Sequence, residues 1–476
     1  MNTTATRESS AGLDALLAAG KDRRLLVRGA TIISMDPEVG DLPRGDLLIE
    51  GSRITAVGPD LMPAARDNRA LVVDADGMIA IPGLHDTHRH SWQTQLRRLL
   101  PDCSLFEYVE LLHGRLAPVY RPQDMYLGNR LAALTALQSG ITTVLDFAHN
   151  RRTVEHGDEA LRAWQDAGVR ASFVPVAPLF GEWDGGWRND LRRLRETSFA
   201  SDDQLIRLRV GAYAKSVPDL VVGDLELSAE TAELAHDLGL GITVDAVFGE
   251  LASAHLERLA NEGVLSSNMT FIHCTRLSTA AWDGLAEAGS KVALAATSDA
   301  MLGCEDAVPP IQEALDRGID PGLSIDVEAC LSSDLYTQMR TVLAVQRMQA
   351  QSRRHRGETD VPPPLSTRAA LHLATVAGAT ANGWGDVTGS LTPGKQADVV
   401  LIRANDFDNL PLNNAVATVV LGTDTGHVDT VFVAGEPRKW GGKLVGANLA
   451  RLRAEVEESR DWLLEQVDRP LNICGD

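Results

Sequence analysis

The segment PGLHDTHRH, residues 82–90, is the strongest local signal of chemistry in the chain, with three histidines in nine positions. Side chains of an extended strand alternate between its two faces, so His88 and His90 share one face and His85 and Arg89 take the other. Two imidazoles on one face of one strand can grip a divalent cation. His85 and Arg89 read instead as contacts between the strand and whatever covers it. Three further apolar runs each end on one ionisable residue: GITVD at Asp245, MTFIH at His273 and GLSID at Asp326. A carboxylate closing such a run costs roughly several kcal/mol unless it is paired or bound to a metal. ITTVLD ends at Asp146 with His149 just beyond, which makes His149 a candidate pocket residue and Asp146 a candidate loop cap.

Four such endings make one site only if the runs lie side by side and point the same way. Eight short apolar runs begin at residues 78, 141, 170, 206, 241, 269, 291 and 322, and helical periodicity fills 123–139, 155–168, 228–239, 251–262, 277–288 and 308–317. Continuous apolar strands alternating with helices indicate a parallel sheet covered on both faces. Eight such units suggest a (β/α)8 barrel, whose active sites gather at the C-terminal ends of the strands. The stretches before and after this region alternate apolar with polar residues and turn at glycine, as half-buried strands do. The expected organisation is a leader over 1–24, a first β segment over 25–77, the barrel over 78–385, a second β segment over 386–445, and a C-terminal helix and tail over 446–476. The two β segments would form one small β-sandwich domain from both chain ends. The link over 177–205, with Phe180, Trp183 and Trp187, is long for such a connection and reads equally as a lid, a pocket wall or a packing surface.

Composition narrows the partners. With 45 Lys+Arg against 65 Asp+Glu, the net charge is −20. A surface that acidic disfavours nucleic acid and anionic membranes. No apolar run approaches the roughly 20 residues of a membrane span, and the first residues lack the pattern of a secretory signal. Five scattered cysteines with no CxxC pair fit reduced thiols and a cytoplasmic location.

The motifs, taken in order, resemble the amidohydrolase superfamily, in the branch of cytosine and guanine deaminases and triazine chlorohydrolases. PGLHDTHRH is similar to its strand-one metal motif, FIHCTRLS (271–278) to its strand-six His motif, LSID to its strand-eight Asp, and GSLTPGKQADVVLI (389–402) to its C-terminal β-domain signature. The resemblance implies one divalent ion, zinc in the first instance with iron or manganese as alternatives, held by His88 and His90 with Asp326 beside it. It implies that Asp326 acts as general base, that His273 orients the water or polarises the substrate, and that Gln93 contacts substrate; Trp92 and His149 complete the expected substrate wall. It also implies a homo-oligomer acting on a small molecule.

Two positions depart from the family pattern. Asp245 stands where the family usually supplies a strand-five metal-binding His, so Asp245 becomes the fourth expected ligand. Phe248 stands where the deaminases of this branch carry a Glu; Glu250 is close in sequence but would reach the same place only if the loop bulged. The expected activity is metal-dependent hydrolysis of a C–N bond in a small, heterocyclic substrate, of the deaminase or cyclic amidase type. The alternatives are a lyase, hydratase or ring-opening enzyme on the same scaffold, and an inactive small-molecule-binding protein. Lys215 could bridge two metals only if carboxylated, and Cys274 reads as a core thiol.

Overall fold

The computed structural model describes residues 11–67, 69–216, 223–304, 306 and 308–475. Residues 1–10 of the expected leader lie outside the described residues; Leu13–Ala18 forms its short helix.

Eight strands hydrogen-bond in chain order as one parallel sheet: Leu84–Arg89, Ile141–Ala148, Arg170–Pro175, Ile206–Tyr213, Gly241–Phe248, Met269–Thr275, Lys291–Leu294 and Gly322–Leu323. They are called barrel strands one to eight below. The sheet closes on itself through a parallel bridge between Arg89 and Asp326. The His90 N–H donates to the Asp326 carbonyl and the Asp326 N–H to the His88 carbonyl, both at 3.0 Å. This closure brings the ends of strands one and eight into register, although some 240 residues separate them in sequence. Strand two is buried at every position, as continuous apolar runs in a parallel sheet should be. The helices that cover the barrel are one-sided. Val154–Ala167 buries Gly157, Ala160, Leu161, Trp164 and Ala167 along one stripe and ends on Gly168 in the left-handed conformation (φ 64°).

A second sheet of nine strands is built from both chain ends, with Arg24–Ile33 paired to Asp41–Glu50, Leu71–Asp74 and Met78–Pro82, and Met78–Pro82 paired to Val399–Arg403. Leu25, Val27, Leu47, Ile49, Val399 and Phe432 fill one of its cores. The run MIAIPG, counted above as the first barrel strand, belongs to this second sheet. The first barrel strand begins two residues later, at Leu84. Gly83 lies between the two sheets, and a Cβ there would stand 2.0 Å from the Thr142 hydroxyl, so only glycine lets the chain pass this close to strand two. An apolar run with period-two alternation cannot tell which of two adjoining sheets it will join.

The long link contains the helix Trp187–Glu196. Trp187 is buried and donates to the Pro175 carbonyl at 2.8 Å, while Trp183 remains 36% exposed. Residues 352–360 form an exposed helix end and loop, and the chain closes with the helix Leu449–Gln466.

Candidate active site

The C-terminal ends of strands one, five, six and eight converge. His88 Nε2 and His90 Nε2 lie 3.2 Å apart. Asp326 Oδ1 stands 3.3 Å from each of them, and the two carboxylate oxygens of Asp245 stand 3.6 Å from His88 and His90 respectively. His273 Nε2 is 3.5 Å from Asp245 Oδ1. All five side chains are at least nine-tenths buried.

The backbone at these strand ends is unusual. Ala246 (φ 56°), His273 (φ 71°), Cys274 (φ 58°) and Asp326 (φ 64°) occupy the left-handed region without being glycine. Non-glycine residues hold such angles at a cost of about 1–3 kcal/mol each, sustained by the surrounding packing. The register between strands five and six shifts between Val244 and Val247. That bulge re-aims Asp245.

The donor set fits a divalent ion. Ligand atoms about 2.0–2.2 Å from a tetrahedral ion stand about 3.3–3.6 Å from one another, close to the 3.2–3.3 Å among His88, His90 and Asp326 and the 3.6 Å from Asp245 to each imidazole. Imidazole with carboxylate suits zinc, iron and manganese. His90 Nδ1 reaches the Phe147 carbonyl at 3.2 Å, the kind of contact that orients a metal-binding ring.

Charge sorts the groups. Burial, reinforced by His88, pushes His90 down to about 4 and keeps its ring neutral. Burial acts to raise Asp326, but the His88 hydrogen bond and the charges of His273 and His88 outweigh it and hold this carboxyl at about 2. Burial likewise opposes ionisation of Asp245, and His88, His273 and His90 overcome it. His273 moves the other way. Burial acts to lower it, but the carboxylates of Asp245 and Asp299 raise it well above the ordinary range. Asp299 Oδ1 lies 2.8 Å from His273 Nδ1, and the Ser298 hydroxyl donates to Asp326 Oδ2.

The remaining expected residues occupy one side of the site. The His149 ring lies 4.0 Å from that of His90, centroid to centroid. Trp92 donates to His149 Nδ1 at 3.3 Å, and the Gln93 amide donates to the Tyr108 hydroxyl at 2.7 Å. Trp92 and Gln93 are themselves fully buried. Asp146 accepts from the Trp164 indole at 2.9 Å and from the Ser91 backbone N–H at 3.3 Å, so it ties strand two to the segment after His90. Arg89 pairs with Glu328, on the loop that follows strand eight. Lys215 is exposed, and Cys274 is a fully buried thiol in the core.

The bulge in strand five does not bring Glu250 inward. Its side chain is 86% exposed and lies 3.2 Å from Arg276. Phe248 takes the inward position, with its ring 6.2 Å from that of His273. Four residues of this neighbourhood were not anticipated. Ser298 and Asp299 follow the strand-seven run KVALAA in TSDA, a polar cluster at a strand end that could have marked them. His113 and Tyr108 lie 3.2 Å apart, and His113 Nε2 stands 3.3 Å from His149 Nε2. They arrive on the helical stretch Leu105–Leu116, and their spacing carries no signal of a site.

An eight-stranded parallel barrel with imidazoles and carboxylates gathered at its strand ends defines the class of metal-centre hydrolases. The chain belongs to the amidohydrolase family, which it matches over residues 79–438. It is accordingly a hydrolase acting on C–N bonds other than peptide bonds. It is 26% identical to a 5'-deoxyadenosine deaminase of Methanosarcina acetivorans, over 87% of this chain and 92% of the relative. It is 27% identical to a 5-methylthioadenosine/S-adenosylhomocysteine deaminase of Moorella thermoacetica, over 87% and 93% respectively. Among solved structures, an adenosine deaminase from Xanthomonas campestris with bound zinc superposes with a TM-score of 0.77 at 21% identity, covering 93% of this chain and 98% of that one. Atrazine chlorohydrolase from Arthrobacter aurescens, complexed with zinc, superposes with a TM-score of 0.76 at 22% identity, covering 92% and 100%. At these identities the two structures share the fold.

Proposed function

We propose that this chain is a divalent-metal hydrolase that cleaves the C–N bond at an sp2 carbon of a small, amino-substituted nitrogen heterocycle. The observation that carries the proposal is the convergence of His88, His90 and Asp326 at mutual spacings of 3.2–3.3 Å, with the carboxylate of Asp245, from a third strand, 3.6 Å from each imidazole. The deaminases among its relatives support the choice of an exocyclic amine as leaving group.

His88, His90, Asp245 and Asp326 would hold the ion, zinc in the first instance. When bound, such an ion supplies a nucleophile at neutral pH and polarises the substrate. Asp326 keeps its charge at neutral pH and would take a proton from the attacking water, its carboxylate oriented by the Ser298 hydroxyl. His273, with Nδ1 held by Asp299 and Nε2 facing the site, would serve as electrophile to the charge that develops on the ring and give a proton to the leaving amine from Nε2. This assignment supplies the acid that Phe248 cannot. The rings of Phe248 and His149 lie beside His273 and His90, where they could flank a planar substrate, with the fully buried Phe147, Trp92 and Gln93 backing that wall.

The test combines metal content with product identity. The purified chain is expected to carry about one equivalent of zinc, iron or manganese and to release ammonia from some member of a panel of amino-heterocycles. His88→Ala and Asp245→Ala should each lose both properties. Full turnover by Asp245→Ala, or by protein persistently free of metal, overturns the ligand assignment. Product formed without ammonia overturns the deamination chemistry and favours elimination or ring opening.

A further inference from the structure

At the opposite end of the barrel from the candidate active site, one buried cation has no counter-charge. Arg209, on strand four, is only 7% exposed. Its Nε donates to the Thr243 hydroxyl at 2.9 Å, and its Nη2 donates to the Ile242 carbonyl at 2.7 Å and the Thr270 hydroxyl at 3.1 Å. Every partner is neutral, and among the described residues no carboxylate pairs with this guanidinium. Its Nη1 makes no hydrogen bond among the described residues. Two glycines keep the space beside Nη1 open: a Cβ at Gly241 would stand 2.7 Å from it and a Cβ at Gly383 3.1 Å.

Nη1 faces a cleft of about 390 Å³ whose lining includes two more cations, Arg207 and Lys291. The Arg207 guanidinium lies 3.9 Å from the Trp384 ring centroid, and its Nε is buried without a partner. Lys291 Nζ donates to the Gly289 carbonyl at 2.6 Å and forms no ion pair among the described residues. The one acid in the lining, Asp202, is 70% exposed and sits 3.6 Å from Arg195. Asp386 stands 3.8 Å from Arg207 at the rim and is 78% exposed. In a chain of net charge −20, this cleft gathers three cations and no buried carboxylate. A buried guanidinium satisfied only by dipoles is costly, and its planar fork matches an oxyanion through parallel N–H donors.

We propose that this cleft binds a small oxyanion of the phosphate or sulfate type, between Arg209 Nη1, Arg207 and Lys291. The anion would bridge the starts of strands five and seven to the segment 380–384, far from the metal donors and independent of them.

Isothermal titration of the full-length chain with inorganic phosphate tests this, with chloride at matched ionic strength as control. One equivalent of phosphate should bind, with a rise in Tm of about 1–2 °C over the chloride control. Lys291→Ala should weaken phosphate binding about tenfold or more while leaving Tm in chloride unchanged, and Arg207→Gln should weaken it as much, with a lower Tm in chloride from the loss of its stacking on Trp384. Arg209→Met should abolish it, although that change also removes the brace between strands. Identical behaviour in phosphate and chloride overturns the site. Phosphate binding that survives unchanged in both the Lys291 and the Arg207 variant places the anion elsewhere, the metal centre included, and overturns it equally.

Discussion

The pair formed by Arg89 and Glu328 offers a direct measure of how rigidly the site is held. Both side chains are out of water, 1% and 2% exposed. Glu328 also accepts from the hydroxyls of Ser333 at 2.6 Å and Thr94 at 3.3 Å. Its carbonyl accepts from the Arg98 N–H at 2.8 Å, and the next carbonyl, of Ala329, accepts from the Leu100 N–H at 3.0 Å. The segment bearing Trp92 and Gln93 is thereby strapped to the loop that follows Asp326. Glu328→Gln keeps shape and hydroxyl partners but leaves the guanidinium with Asp86, 3.8 Å away, as its one ion-pair partner among the described residues. Removing one partner of a buried pair costs about 3–5 kcal/mol. The presence of Asp86 puts this case at the lower end, about 3 kcal/mol or roughly 150-fold in the folded-to-unfolded ratio. The double variant Arg89→Met/Glu328→Gln removes the orphaned charge and should recover most of that loss, with a coupling of about 2 kcal/mol. Denaturant unfolding of the four members of the cycle reads the energies, and metal analysis of each reads the site, where Glu328→Gln should weaken retention about 10–100-fold. Glu328→Gln within about 0.5 kcal/mol of the parent, or single effects that simply add, would refute the strap.

Two other outcomes follow from the geometry. Asp299→Asn keeps the shape beside His273 Nδ1 but removes the charge that holds the ring protonated. A charge-assisted bond is worth about 1.5–3 kcal/mol, so ammonia release should fall about 10–150-fold with metal content unchanged; loss of the ion in step with turnover would assign Asp299 to metal binding instead. His85 is fully buried, and burial pushes it from 6.5 down to about 3. The unfolded chain therefore takes up this proton first, and stability falls as pH drops from 6.5 towards 3, by about 1.3 kcal/mol per unit from this group. In acid-unfolding series, His85→Asn should flatten the slope between pH 6 and 4 by that amount; parallel slopes for the two chains would contradict it.

Much of the site was legible before any fold was known, for a local reason. His88 and His90 declare themselves by strand periodicity alone, and Asp245, His273 and Asp326 by ending apolar runs, because an ionisable group there has to be matched by something. Strands two to eight of the barrel were legible in the same way, as short apolar runs between helices. The first strand was not: residues 78–82 and 84–89 form one uninterrupted pattern, and only packing against Thr142 at Gly83 divides it between two sheets. The bulge at Ala246 admits Phe248 and leaves Glu250 in solvent.

The amino-acid sequence by itself determined which groups end the strands, hence the donor types, the parallel barrel and the overall excess of negative charge. Tertiary structure alone decided what depends on contacts between distant segments. Closure of strand eight onto strand one brought Asp326 to His88 and His90, the strand-seven exit delivered Asp299 to His273, and the two glycines left Arg209 Nη1 uncovered. Side-chain type and local period are written residue by residue, whereas distances between chain segments hundreds of residues apart exist only once the backbone has closed.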